Sequence, residues 1–76
     1  MKAYILIKVR VGTVIEAVHH LRRIEQVVEA NMTFGPYDAV AIVEANDINH
    51  LGHILNDAIQ PIPGVIETLT CLAVSV

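Results

Sequence analysis

The sequence predicts an α+β fold with its elements in the order βαββαβ. Three observations carry that reading: apolar runs of period two at residues 3–9 and 65–76, two stretches of helical spacing that each open on a capping residue, and an apolar run at 39–45 too short for a helix. This order is the split βαβ, or ferredoxin-like, arrangement, a four-stranded antiparallel sheet with both helices on one face.

Residues 3–9 (AYILIKV) place Ala3, Ile5, Ile7 and Val9 on one side of a strand and Tyr4, Leu6 and Lys8 on the other. Gly12 ends it. Thr13-Val14-Ile15-Glu16 then has the form of a capping box, in which the Thr13 hydroxyl accepts from the Glu16 amide. Val14, Ala17, Val18, Leu21 and Ile24 follow at three- and four-residue spacings and form the apolar stripe of a first helix. From about Ile24 to Thr33, Val28, Ala30, Met32 and Phe34 alternate with Val27, Glu29, Asn31 and Thr33, the pattern of a half-polar strand.

Gly35-Pro36 marks a turn, and Ala39–Ala45 (AVAIVEA) reads as a strand buried on both faces. Asp47 caps a second helix, whose Ile48, Leu51, Ile54, Leu55, Ala58 and Ile59 keep helical spacing until Pro61 forbids continuation. Gln60-Pro61-Ile62-Pro63-Gly64 forms a rigid connector. The last strand, Val65–Val76, sets Ile66, Thr68, Thr70, Leu72 and Val74 against Val65, Glu67, Leu69, Cys71 and Ala73.

The composition adds a constraint that the element order alone does not. Of 76 residues 54% are apolar and only 17% charged, against about 25% charged in an ordinary soluble domain. A chain this short buries only about 60% of its unfolded surface. Two helices cover one face of the sheet, and nothing remains to cover the other, which carries Tyr4, Leu6 and one row of the third strand. The expected cover is a second sheet packed face to face, which makes the protein a dimer at least.

Several function classes are set aside by the same reading. The five basic residues form no run longer than Arg22-Arg23, and the net charge is −3, so direct nucleic-acid binding is not expected. No apolar run approaches a membrane span, and the N-terminus lacks a signal-peptide cleavage site. A soluble, cytoplasmic protein is expected. Cys71 has no second cysteine or adjacent base and reads as a small buried hydrophobe. His50 and His53 stand at i and i+3, and Glu16 shares a face with His19 or His20, but two such pairs on separate helices do not supply a metal site by spacing alone. They read as helix histidines at a subunit contact. Neither a metal nor a cofactor is expected, since no Gly-rich phosphate loop and no C-x-x-C occur.

The chemistry-bearing segment is Gly35-Pro36-Tyr37-Asp38. Gly35 lets an amide approach a ligand closely, Pro36 stiffens the turn, Tyr37 offers an amphipathic ring, and Asp38 can take an ammonium group. Such a loop suits a zwitterion. The same residues also suit a plain hairpin turn, with Tyr37 packed at an interface and Asp38 capping the turn. Thr68 and Thr70 share one face of the last strand and are equally suited to being ordinary β-formers.

The run Thr33–Ala45 (TFGPYDAVAIVEA), Asp47, the Pro-Gly-Val at 63–65 and the Glu-Thr-Leu-Thr at 67–70 together resemble the ligand-binding, or RAM, domain of the Lrp/AsnC transcription regulators. The resemblance covers essentially the whole chain. It implies a ligand site at Gly35, Pro36, Tyr37 and Asp38, with a hydroxyl near Thr68 and Thr70 beside it. It also implies an amino-acid or similar effector and dimers that associate into an octamer or decamer. Family members carry an N-terminal helix-turn-helix domain, whereas this chain opens on its first strand. The expectation is therefore a single domain over residues 1–76 without a DNA-binding domain, able to co-assemble with full-length relatives and modulate them.

Two other readings stand beside this one. A small dimeric α+β barrel enzyme uses the same fold with a pocket between sheet and helices, but the stripes facing that pocket are Ile, Val, Leu and Ala, so no catalytic residues are expected. A pure assembly subunit would keep the oligomer and lack the ligand. Fold alone does not choose among them.

Overall fold

β1 (Lys2–Val9) alternates as its sequence requires: Ala3, Ile5, Ile7 and Val9 are buried, while Lys2, Tyr4 and Lys8 are exposed and Leu6 half-buried. It is a central strand. A computed structural model describes all 76 residues and gives the sheet order β2-β3-β1-β4, with β1 antiparallel to both β3 (Ala39–Glu44) and β4 (Val65–Leu72), and β2 (Val27–Met32) antiparallel to β3. Helices α1 (Val14–Arg22) and α2 (Ile48–Ile54) complete the βαββαβ order.

The core holds sixteen buried residues, all apolar, and no buried polar side chain. Alanines dominate where α1 meets the sheet: Ala17 on the helix, Ala30 opposite Ala41 on β2 and β3, and Ala39. Small side chains there let a helix approach the strands closely. Ala17, Val18 and Leu21 are buried and Val14 and Ile24 pack at the margin, as the stripe predicts. Arg22 ties the helix end to the edge strand by donating from Nε to the Ala30 carbonyl at 2.9 Å.

The cap of α1 differs from the capping-box expectation. Thr13 makes no side-chain cap bond, and its hydroxyl donates backward to the Arg10 carbonyl at 2.7 Å, closing the Arg10–Thr13 turn. The preceding Gly12 supplies the positive φ of +88° that the turn needs. Asp47 does cap α2, with Oδ1 accepting from the His50 amide at 2.8 Å, and His50 returns the contact as Nδ1 accepts from the Asn46 amide at 2.9 Å. Ile48, expected in the apolar stripe, lies exposed in the first turn of that helix.

Beyond Ile54 the chain widens into a π-helical turn, Leu55–Ile59, closed by the Gln60 amide on the Leu55 carbonyl at 2.8 Å. In a regular α-helix a residue five positions on points about 140° away. The wider winding keeps both Ile54 and Ile59 buried before Pro61 ends the element.

Two bulges shift the alternation predicted for the outer strands. Between Val27 and Glu29 the register with β3 slips, so Val27 and Ala30 share the core side and Val28 is 63% exposed. Between Lys8 and Val9 the register with β4 slips likewise, which brings Val65 opposite buried Val9 and leaves Ile66 66% exposed. β4 ends at Leu72 rather than Val76, its last pairing made by the Ala73 amide on the Lys2 carbonyl. β3 is fully buried on its helix side and half-buried on the other.

That second face is the open side of the sheet. Register places Val40, Leu6 and Leu69 in one row and Ile42, Tyr4 and Cys71 in the next. Tyr4 is 38% and Leu69 46% exposed. Cys71, expected to be buried, is exposed, because no element of this chain covers its face. The molecule is a plate of 35 × 25 × 18 Å with one broad side unpacked.

Candidate ligand-binding site

The loop between β2 and β3 is braced from within and from β1. The Thr33 amide donates to the Asp38 carbonyl at 3.0 Å, and the Thr33 hydroxyl donates to the Tyr37 carbonyl at 2.8 Å, closing a loop with Phe34, Gly35 and Pro36 at its tip. The Asp38 amide donates to the Ile7 carbonyl at 2.9 Å, and Asp38 Oδ2 accepts from the Val9 amide at 2.8 Å. Lys8 reaches across from β1, where Nζ donates to the Pro36 carbonyl at 3.0 Å and lies 6.0 Å from the centre of the Tyr37 ring. Strand pairing thus fixes the loop over one end of the open face.

The result is a shallow recess of about 370 Å³ with Leu6 and Val40 as its floor and Thr33, Phe34, Gly35, Pro36 and Tyr37 around it. Phe34 is 98% exposed at the tip. Nothing fills the space beside Gly35, where an added Cβ would meet no atom within 4 Å. A slightly larger groove of about 430 Å³ lies at the start of α1, lined by Gly12, Val14, Ile15, Glu16 and Met32. The loop recess is the better candidate, because an apolar floor there meets the Thr33 hydroxyl and the open backbone at Gly35, with the Lys8 ammonium held on the Pro36 carbonyl at its edge.

The residues singled out from sequence fall into three positions. Gly35, Pro36 and Tyr37 line the recess; Asp38 does not, because its carboxylate turns to the end of β1. Thr68 and Thr70 lie opposite Ile7 and Ile5, on the helix side of the sheet, with Thr68 accepting from Gln60 Nε2 at 3.5 Å. Within one chain they are separated from the recess by β1 and face the other way. Sequence reading missed Leu6, Thr33, Phe34, Val40 and above all Lys8. Period two places Lys8 beside Leu6 on the open face, but its reach to Pro36 depends on the β1–β3 register.

The histidines form no cluster with this site. His53 pairs with Asp57 at 3.7 Å, both exposed, and no three His, Cys, Asp or Glu side chains converge anywhere in the fold. No helix is long and apolar enough to cross a membrane.

Comparison with known proteins gives the same picture at the level of the whole chain. The family model for the Lrp/AsnC ligand binding domain matches residues 2–76. The HTH-type transcriptional regulator FL11 of Pyrococcus abyssi is 38% identical over 72 residues, covering 95% of this chain and 47% of the regulator. The chain therefore spans about half the length of the curated relatives it matches. The crystal structure of TTHA0845 from Thermus thermophilus superposes with a TM-score of 0.93 at 32% identity, covering 99% of this chain and 94% of that one. Escherichia coli AsnC superposes with a TM-score of 0.92 at 27% identity, covering 97% of this chain and 50% of AsnC. With its βαββαβ fold, its loop recess and a family match over nearly every residue, the chain belongs to the Lrp/AsnC ligand-binding domain family of transcription regulators.

Proposed function

We propose that this domain is an oligomeric sensor that binds a small effector at the Gly35–Tyr37 loop and passes occupancy on through assembly. The observation that carries the proposal is that recess and open sheet face are one surface: Leu6 and Val40 are both the floor of the former and part of an apolar row of the latter. A second sheet laid on the open face would roof the recess. The broad side of a 35 × 25 × 18 Å plate is of the size that a standard interface of about 800 Å² per partner requires.

In this reading the effector is a small molecule of the amino-acid class, bound at the boundary between subunits. Gly35, Pro36 and Tyr37 contact it, and Asp38 holds the loop to β1. Thr68 and Thr70 enter such a site only from another subunit, since in their own chain they face the helices. Dimers joined over the open face associate further into rings of four or five dimers. The same surfaces give a route to co-assembly with other regulators of the family in the cytoplasm, through which effector occupancy bears on transcription. No acid–base pair or nucleophile lines the recess, and the space between helices and sheet is filled by core, which favours a sensor over an enzyme.

Sedimentation of the purified chain with and without each common amino acid, paired with calorimetric titration, tests this. A dimer or larger ring that binds one of them, and whose assembly shifts with its concentration, is the expected result. A monomer at all concentrations, or an oligomer that binds none and loses nothing when Gly35 and Tyr37 are replaced, would refute it.

A further inference from the structure

The cation at the edge of the recess, Lys8, whose Nζ is held on the Pro36 carbonyl outside the lining proper, has no anionic partner. Lys8 gives a single hydrogen bond, to the neutral Pro36 carbonyl, and takes part in neither of the chain's two ion pairs. Its cross-strand neighbour on β4 is Glu67, yet the two side chains form no ion pair. An ammonium has three donors, so two remain free at the rim. No carboxylate lines the recess, because the only acid of the loop, Asp38, is turned to the Val9 amide. The site is therefore asymmetric in charge: it has a cation at its edge to pair with a carboxylate and no anion to pair with an amine.

We propose that Lys8 is the carboxylate anchor of the recess, and that the ligand class is small monocarboxylates with an apolar tail, in which the α-amino group is dispensable. A 2-oxo acid should then serve as well as the amino acid of the same side chain. The inference rests on the reading of the loop as the effector site and adds to it a residue and a ligand class. Its physical basis strengthens on assembly, since a sheet laid over this face removes water from Lys8 and raises the value of a counter-ion supplied by the ligand. The apolar tail lies on Leu6 and Val40 between Phe34 and Tyr37.

Four probes of one shape separate the contributions: L-phenylalanine, phenylpyruvate, 2-phenylethylamine and 2-phenylethanol, titrated while the Gly35 and Tyr37 amide resonances of the assembled protein are followed. Phenylalanine and phenylpyruvate are expected to bind within about threefold of one another, and the amine about tenfold more weakly or not at all, the order of one charge-assisted contact. Lys8→Met should weaken both acids by about tenfold and leave the neutral alcohol unchanged, while Lys8→Arg restores the acids. If Lys8→Met weakens alcohol and acids alike, Lys8 only braces the loop and the anchor is refuted. If phenylalanine binds at the loop and phenylpyruvate does not, or Lys8→Met leaves the acids unchanged, the carboxylate inference fails and the loop site stands. If no probe moves Gly35 or Tyr37, the loop site fails and the inference with it.

Discussion

Replacing Asp38 separates a brace from a ligand contact. Its Oδ2 accepts the Val9 amide at 2.8 Å, and its own amide donates to Ile7, so the residue joins the loop to the end of β1 at two points. Asp38→Ala keeps the second bond and removes the first, leaving the Val9 amide without its partner in a half-buried position. Losing a hydrogen bond to a charged acceptor costs about 1.5–3 kcal/mol; partial solvent access puts the expected loss near the lower end, about 1.5 kcal/mol. Asp38→Asn retains a carbonyl oxygen for the same amide and should cost about half as much. Denaturant titrations at one fixed protein concentration, where assembly contributes equally, measure both. Asp38→Ala within 0.5 kcal/mol of the parent would refute the brace. A ligand affinity that falls at least tenfold in Asp38→Asn, with little change in stability, would return Asp38 to the ligand.

Three further perturbations test other parts of the fold. Gly12 and Gly64 have similar positive φ values, +88° and +94°, but an added Cβ meets nothing at Gly12 and at Gly64 collides with the Thr13 side chain, whose Cβ is 2.9 Å away. Gly12→Ala should therefore cost about 1 kcal/mol for the left-handed backbone, and Gly64→Ala clearly more; equal losses in thermal or denaturant melts would show that Thr13 gives way freely. Leu69→Glu places a charge on the open face at a site already 46% exposed in the single chain, so it should spare the fold and weaken self-association by about a hundredfold in sedimentation, given the several kcal/mol of burying an unpaired charge. Asp47→Ala removes the α2 cap and should cost about 1 kcal/mol; an unchanged melt would mean that the His50–Asn46 contact holds the helix start alone.

The fold was legible because its main signals are local. Period two at Ala3–Val9, the short apolar run at Ala39–Glu44, the Asp47 cap and the Pro61 stop each follow from neighbouring residues, and their order names the topology. The open face was legible too, since two helices cannot cover both sides of a sheet. What misled the reading was non-local. One extra residue at each bulge reverses which side Val27, Val28 and Val65 face, and no nearby residue announces it. The capping motif at Thr13 lost its hydroxyl to Arg10 because the turn beneath Gly64 claims it first. Cys71, with no second cysteine or adjacent base, read as a small buried hydrophobe, whereas its side of β4 is the uncovered one. The site followed the same division: Gly35–Tyr37 stood out as turn residues, while Lys8, nearly thirty positions away, joins them only through strand register.

The shared floor of recess and open face sets how strongly ligand and assembly can influence one another. A ligand that contacts only its own chain binds monomer and dimer equally and shifts neither, however tight it is. One held in the recess and roofed by a second sheet binds the assembled state alone, and at a concentration one hundred times its dissociation constant it stabilises that state by about 2.7 kcal/mol. That is roughly a hundredfold in the association equilibrium, enough to carry a weak dimer from mostly dissociated to mostly formed. The position of Leu6 decides between these cases. Because it lies on the open face between Val40 and Leu69, a side chain that a ligand covers there is one that a sheet packed on that face, as proposed, would also meet. Occupancy then has to alter the interface, and its sign depends on whether the ligand's tail fills the gap between the sheets or holds them apart. A tail that ends level with Phe34 strengthens assembly; a longer one weakens it. A series of monocarboxylates of increasing length should therefore pass from promoting to opposing association, with the crossover set by the depth of the recess.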